Sequence, residues 1–450
     1  MPTAQRVFQL MAKPTGAICN LDCDYCFFLS KEQLYPGSAF RMADDVLRTY
    51  VQQLLAAHPP DAEVTFAFQG GEPTMMGIDF FARCLELQQE CKQPGQQVLN
   101  TIQTNATLID ARWARFLADN EFLVGVSIDG PREMHDAYRR DKGGKPTFDR
   151  VVAGLRQLQD AGAEWNALTT VNAANADHGS RVYHFLTGEL GARFIQFIPI
   201  VERVPENLLP IAERSGWGAR NHRTVLYTQT GSAVTSRSVR PQQYGRFLID
   251  VFEHWVRNDV GDVFVQMFDT TLAHFVGYEN VGLCVHARTC GDALALEHNG
   301  DVYSCDHFVE PDHLVGGLAD GRTLLEIVNS PAQRAFGKAK LDTLPDYCRR
   351  CDVRFACNGG CPKDRFATTP DGEPGLHYLC EGYQQFFRHV DKPMRLMTAL
   401  LRQGGSADEI RRWYATRDAT RDPGLPCTCG RQRPFGQCHA AGVFTGRTTP

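Results

Sequence analysis

No apolar run in this 450-residue chain approaches the roughly 20 residues needed to cross a bilayer. A membrane-spanning role is therefore not expected. The amino terminus, MPTAQRVFQLMAKPTG, has no continuous apolar stretch ending at a small-residue cleavage site, so we expect no export signal and a cytoplasmic protein. An excess of one charge is lacking too: 47 Lys and Arg stand against 52 Asp and Glu, a net charge of -5. A dedicated nucleic-acid binder would carry a basic footprint, so no nucleic-acid partner is expected. There is no internal repeat at solenoid spacing.

What the chain does have is cysteine. It holds 16, and 14 of them fall into tight groups. In a reducing compartment such spacings read as metal ligands, whereas a secreted disulfide framework belongs to much shorter chains. Apolar content of 43% and charge of 22% are ordinary, and the length allows a large core in more than one domain.

The first 200 residues alternate β-rich runs with amphipathic stretches. Strands are predicted at 7–12, 63–68, 98–103, 122–128, 165–171 and 194–199, with helices at 44–57, 79–91, 110–119, 148–161 and 179–186. Such alternation implies a parallel sheet covered by helices; periodicity alone leaves open whether it curls into an incomplete barrel. The rhythm fades over 201–235. A helix is predicted at 244–257, a strand at 261–268 and a helix at 386–401. The region from Cys284 onward is cysteine-dense, loop-rich and short of core, so it would need metal to fold.

The first cysteine group, Cys19-x3-Cys23-x2-Cys26, follows the first predicted strand, at the sheet edge where α/β folds place ligands. Three thiolates can hold three irons of a [4Fe–4S] cube and leave one iron open; zinc would need a fourth ligand that this group does not offer. The spacing, with an aromatic before the last cysteine, resembles the radical S-adenosylmethionine superfamily. Gly70, Gly71, Glu72 and Pro73 in FQGGEPT resemble that family's segment for the methionine amino group. The resemblance further implies cosubstrate contacts from Gln103, Asn105, Ser127 and Ile195, with Asp129 beside Ser127. It also implies a partial (β/α)6 TIM-like barrel. Arg139 or Arg140 could pair with the cosubstrate carboxylate, and Arg140 is taken as the candidate.

The second set is Cys284, Cys290, Cys305, Cys348, Cys351, Cys357, Cys361 and Cys380. Eight thiolates suffice for two fully ligated cubes, or for two tetrahedral zinc sites. The pattern resembles the SPASM auxiliary-cluster extension. That resemblance implies that Cys284, Cys290, Cys305 and Cys361 hold one cluster, and Cys348, Cys351, Cys357 and Cys380 the other. His286 and His307 are not assigned as ligands, and Cys84 and Cys91 are read as packing residues.

The stretches FAFQGGEPT, QTNATLID, FLVGVSIDGP, EHNGDVYSCDHFV, CNGGCPKDRF and HYLCEGYQQFF narrow the resemblance, over about residues 5–395, to anaerobic sulfatase-maturating enzymes. It implies oxidation of a sulfatase cysteine or serine, in a Cys/Ser-x-Pro-x-Arg motif, to Cα-formylglycine. S-adenosylmethionine is the implied cosubstrate, with three [4Fe–4S] clusters and an electron donor such as flavodoxin or ferredoxin. Asp306 matches the family's general base, Gln69 is placed to orient substrate, and Phe28 stands where a tyrosine occurs in some relatives. A radical enzyme that crosslinks ribosomally made peptides is the rival within enzymes. A metal-rich interaction or redox scaffold is the rival outside them.

At the end, Cys427, Cys429, Cys438 and His439 offer four ligands to a closed tetrahedral zinc site, and their spacing resembles the SEC-C motif. Docking or recruitment is the role considered for it. The expected organisation is a barrel at 1–235, a connecting region at 236–280, the auxiliary-cluster domain at 281–395, a linker at 396–420 and the zinc module at 421–445.

Overall fold

The computed structural model describes residues 8–215, 229–279, 282–427, 429 and 433–438. Six parallel strands run through its first half: β1 (Gln9–Lys13), β2 (Glu63–Phe68), β3 (Gln97–Thr104), β4 (Leu123–Ser127), β5 (Trp165–Val171) and β6 (Phe194–Pro199). Parallel neighbours need crossovers, and a helix lies in each interval. In β2 the side chains of Val64, Phe66 and Phe68 are buried beneath helices while the residues between them face the other side. Each such burial contributes about 1.5–3 kcal/mol.

The helix starts follow from short acidic side chains. Asp110 caps Ala111–Asp119 by accepting the Trp113 N–H at 2.8 Å. Asp79 and Asp149 lie in the first turns of Ile78–Cys91 and Phe148–Asp160, where a carboxylate favours the helix dipole. The helix expected to reach residue 186 stops at His184 and passes into a wider π turn, Phe185–Glu189.

The sheet extends beyond six strands on both sides. Ala293–Glu297 pairs parallel with β1, and Asp301–Tyr303 and Leu314–Gly317 continue antiparallel from it. At the far side Phe264–Val265 joins β6. The result is a mixed ten-stranded α/β sheet whose two outermost strands do not pair with each other among the described residues.

Three expectations change. The cysteine-rich region is not short of core, because Leu294, Leu296, Val302, Leu324 and Ile327 join the main core. The strand expected at 261–268 shrinks to two residues, since Gln266 opens the helix Gln266–Val276. The expected linker at 396–420 is helical: Cys380–Arg402 runs into it and Ile410–Ala419 fills its end. Among the described residues no helix is long and apolar enough to cross a membrane.

Candidate active site

The loop carrying the first three cysteines is held against the segment after β2. Gly71 N–H donates to Gly16 O at 2.8 Å and Glu72 N–H to Ile18 O at 3.0 Å. A Cβ on Gly71 would lie 1.8 Å from Ile18 O, and Gly70 adopts φ +124, so only glycine permits this approach. Glu72 is fully engaged: its carboxylate accepts from Thr74 N–H (3.2 Å), Thr74 Oγ1 (2.7 Å), Thr104 Oγ1 (2.7 Å) and Asn105 N–H (2.8 Å). Burial raises its pKa, and these bonds oppose the rise. The Glu72 side chain thus braces the loop to the end of β3, and the polar surface offered by this segment is backbone.

Asn105 reaches the cysteines themselves, its Nδ2 lying 3.6 Å from Cys19 Sγ and 2.8 Å from Asn20 Oδ1. Gln103 Nε2 donates to Ser127 Oγ at 3.0 Å, in space that Gly125 leaves open.

A buried network anchors the loop from below. The Tyr25 hydroxyl, between Cys23 and Cys26, donates to Asp129 Oδ2, which also accepts from Arg139 Nε at 3.0 Å. Asp129 Oδ1 accepts from Thr170 N–H at 3.0 Å. Burial alone would raise the Asp129 pKa, but Arg139, His135 and the hydrogen bonds hold it below the usual carboxylate range. Of the arginine pair, then, Arg139 is committed to this network, whereas Arg140 is exposed. Asp129→Ala strands the Arg139 charge and frees Tyr25. A loss of about 3–5 kcal/mol is expected in chemical denaturation, together with lower iron content per chain.

Ile195 is not brought to this edge. It lies near the amino-terminal end of β6, 2% exposed and packed in the main core. Ile200, just past the carboxyl end of β6, packs instead with the cluster around Leu21, Cys23 and Tyr25.

Asp306 follows Cys305 and starts the turn Asp306–Phe308. Its Oδ1 is ion-paired with the ammonium of Lys13, at the end of β1; the two side chains are 22% and 2% exposed. The Lys13 Nζ also lies 4.1 Å from the centre of the Phe28 ring. Burial pushes the Asp306 pKa up, yet Lys13 and then His307 and Lys363 bring it below its ordinary value. Phe28 is 3% exposed and forms the floor under Lys13. Gln69 donates its N–H to Ala12 O at 2.9 Å and keeps a half-buried side chain at the same edge. Phe27, Lys31, Arg203, His307 and Lys363 are among the residues lining a cavity of about 60 Å³ alongside.

The eight later cysteines divide into two groups. Cys305 neighbours Cys361 and Cys284, and Cys284 neighbours Cys290 and Cys361 closely enough for each anion to disfavour the next. Cys348, Cys351, Cys357 and Cys380 do the same among themselves. Burial is the largest cause of the raised thiol pKa in each group, with neighbouring thiolates adding to it. Buried thiols that oppose one another's ionisation fit a centre whose positive charge reverses that preference. The first group of three behaves likewise. Lys340 and Arg365 approach thiols of both groups. His307 Nδ1 lies 3.6 Å from Cys361 Sγ.

In the tail, the Sγ atoms of Cys427, Cys429 and Cys438 all lie within 4.8 Å of one another. His439 lies outside the described residues.

Residues 14–186 match the radical SAM superfamily, and 284–352 match the SPASM iron–sulfur cluster-binding domain. A serine-type anaerobic sulfatase-maturating enzyme of Bacteroides thetaiotaomicron is 43% identical over 389 residues, 86% of this chain and 90% of that one. The chain belongs to the anaerobic sulfatase-maturating enzymes. A cysteine-type member from Clostridium perfringens is 31% identical over 85% of this chain and 95% of its own. Among solved members, native anSMEcpe with bound AdoMet superposes with a TM-score of 0.74 at 30% identity, covering 87% of this chain and 99% of that one. The same enzyme with AdoMet and the Cp18Cys peptide gives 0.72, over 87% and 98%. As a member of this family the chain is a radical SAM oxidoreductase that acts on a polypeptide. The SPASM match ends before Cys357, Cys361 and Cys380, which the fold nonetheless brings to the two thiol groups.

Proposed function

We propose that this sulfatase-maturating enzyme oxidises an active-site cysteine or serine of a sulfatase, in a Cys/Ser-x-Pro-x-Arg segment, to Cα-formylglycine. The observation that carries this reading is the Lys13–Asp306 ion pair, set beside the Cys305 thiol group at the sheet edge that also bears Cys19, Cys23 and Cys26. Cys19, Cys23 and Cys26 hold one [4Fe–4S] cluster; Cys284, Cys290, Cys305 and Cys361 a second; Cys348, Cys351, Cys357 and Cys380 a third. When bound, the first cluster and S-adenosylmethionine supply the electron and the radical that removes a hydrogen atom from the target Cβ.

This chain's own residues then do the rest. Gln103, Asn105, Ser127, Arg140, Ile200 and the Gly70–Gly71 backbone orient the cosubstrate, and Gln69 orients the substrate. Asp306 accepts the proton of the target thiol or hydroxyl. Lys13 keeps that carboxylate ionised and aimed. A cluster held by Cys284, Cys290, Cys305 and Cys361, beside Asp306, would supply an acceptor for the second electron. Serine thereby becomes the aldehyde directly; cysteine becomes a thioaldehyde, which water converts to the aldehyde with release of hydrogen sulfide. The partners are a sulfatase polypeptide and a flavodoxin or ferredoxin, in the cytoplasm, with no role for nucleic acid or membrane. The tail cysteines and His439 hold zinc.

The test uses the anaerobic holoenzyme with reductant, S-adenosylmethionine and matched cysteine and serine peptides. An aldehyde detected by mass on either peptide is the expected result. Cosubstrate cleavage with a sulfur-retaining crosslink, or with no change in either peptide, counts against the sulfatase reading.

A further inference from the structure

The carboxyl-terminal cysteines are not on a free arm. Cys427 and Cys429 are each 4% exposed and Phe435 is fully buried, all within the main core. They sit on a small hairpin: Pro426 bridges Pro434, Cys427 N–H donates to Arg433 O at 2.9 Å, and Phe435 N–H donates to Leu425 O at 2.7 Å. A hairpin of this size carries a single buried aromatic, and a metal staple would hold it more firmly. Its three thiols are the chemistry available for one, with Cys429 Sγ and Cys438 Sγ 3.6 Å apart.

What Phe435 covers is unusual for a core. His389 Nε2 bonds Glu253 Oε1 at 2.7 Å, Glu253 Oε2 bonds Arg257 at 2.7 Å, and Arg257 Nε bonds Asp418 Oδ2 at 2.8 Å. The Glu253, Arg257 and Asp418 side chains are all nearly inaccessible. This ionic chain joins three helices, Cys380–Arg402, Pro241–Asn258 and Ile410–Ala419. The Arg257 guanidinium lies 4.5 Å from the Tyr414 ring and 5.9 Å from the Phe435 ring, and Arg421 stacks on Phe435 at 4.8 Å. Arg421 also returns to the hairpin, donating to Pro426 O at 2.7 Å. Ion pairs of this kind hold strongly only while water is kept out.

We propose that a thiophilic divalent cation of the zinc type, bound by Cys427, Cys429 and Cys438, clamps Phe435 over this ionic chain, so that the tail is a metal-dependent clasp fastening the helix Ile410–Ala419 to the back of the catalytic domain. The clasp rests on the zinc reading above and replaces recruitment as the role of the tail. It adjoins the helix that begins with the auxiliary-group thiol Cys380, but it lies apart from the reacting edge, so it acts on stability and not on chemistry.

The experiment uses full-length holoenzyme purified anaerobically, with metal analysis and hydrogen exchange on wild type, Cys429→Ser and Phe435→Ala. Wild type is expected to hold zinc in addition to iron. Cys429→Ser should lose the zinc; Phe435→Ala should keep it. In both variants the amides of 410–419 should exchange at least about tenfold faster, with iron content and peptide oxidation unchanged. Zinc-free wild type, or zinc retained in Cys429→Ser, overturns the metal site. Zinc lost from Cys429→Ser with exchange at 410–419 unchanged, or unchanged exchange in Phe435→Ala, overturns the clasp while leaving the metal reading intact.

Discussion

Asp306→Asn is expected to lower formation of the oxidised peptide by about 10²- to 10⁴-fold, the range for losing a positioned general base, while cleavage of S-adenosylmethionine continues. The separation follows from position. Asp306 lies one residue past Cys305, against Lys13, whereas the loop of Cys19, Cys23 and Cys26 is braced by Glu72 and Asp129, which this change does not touch. Asparagine keeps the shape of the side chain but cannot accept a proton. Measuring 5'-deoxyadenosine and modified peptide in the same reaction gives both readouts. A variant that loses both together would place Asp306 in the support of the clusters and deny it the role of base.

Lys13→Met should be the second large effect, acting through the Asp306 carboxylate. In the folded protein Lys13 brings the Asp306 pKa below the ordinary value although burial pushes it up. The carboxylate is therefore ionised throughout neutral pH, and its activity is lost only on acidification past that lowered pKa. Without the ammonium the largest opposition to burial is gone while His307 and Lys363 remain, so the pKa rises and the acidic limb of the pH–rate profile moves to higher pH. Removing one member of a buried pair also costs about 3–5 kcal/mol of stability when the other stays charged; protonation of Asp306 relieves part of that cost. Chemical denaturation and a pH–rate profile of wild type and variant check both halves. An unshifted acidic limb would mean that Lys13 does not govern this carboxylate.

The fold of the first half was legible because its alternation of strand and helix periods is regular and its helix starts carry Asp79, Asp110 and Asp149. The strand at 261–268 misled because an apolar run of that length fits a strand or a buried helix start equally well, and packing chose the helix from Gln266. The helix Ile410–Ala419, within the stretch expected as a linker at 396–420, was not foreseen, for a physical reason. Its arginines and acids are polar in sequence, yet Asp418 is buried against Arg257 of the distant helix Pro241–Asn258, and Tyr414 and Phe435 cap that pair, contacts no local pattern announces.

The site divides in the same way. The cysteines, the glycine pair, Gln103, Asn105 and Ser127 are readable from motif order, because one sheet edge collects the ends of successive strands. Asp306 was reachable only through family resemblance. Lys13 was missed, since a lysine closing a strand normally reaches solvent; here the strand Ala293–Glu297 pairs with β1, and the turn that follows the next strand, Asp301–Tyr303, covers that end with Asp306. Ile195 was chosen from the right strand but the wrong end, and Ile200 fills the carboxyl edge.

The most direct measurement is isotopic. A Cys/Ser-x-Pro-x-Arg peptide deuterated at the target Cβ is incubated with anaerobic holoenzyme, reductant and S-adenosylmethionine, and both products are weighed by mass spectrometry. Deuterium is expected in 5'-deoxyadenosine, with an aldehyde at the labelled residue of the peptide. Deuterium-free 5'-deoxyadenosine, or a labelled peptide recovered unchanged while the cosubstrate is consumed, would contradict it.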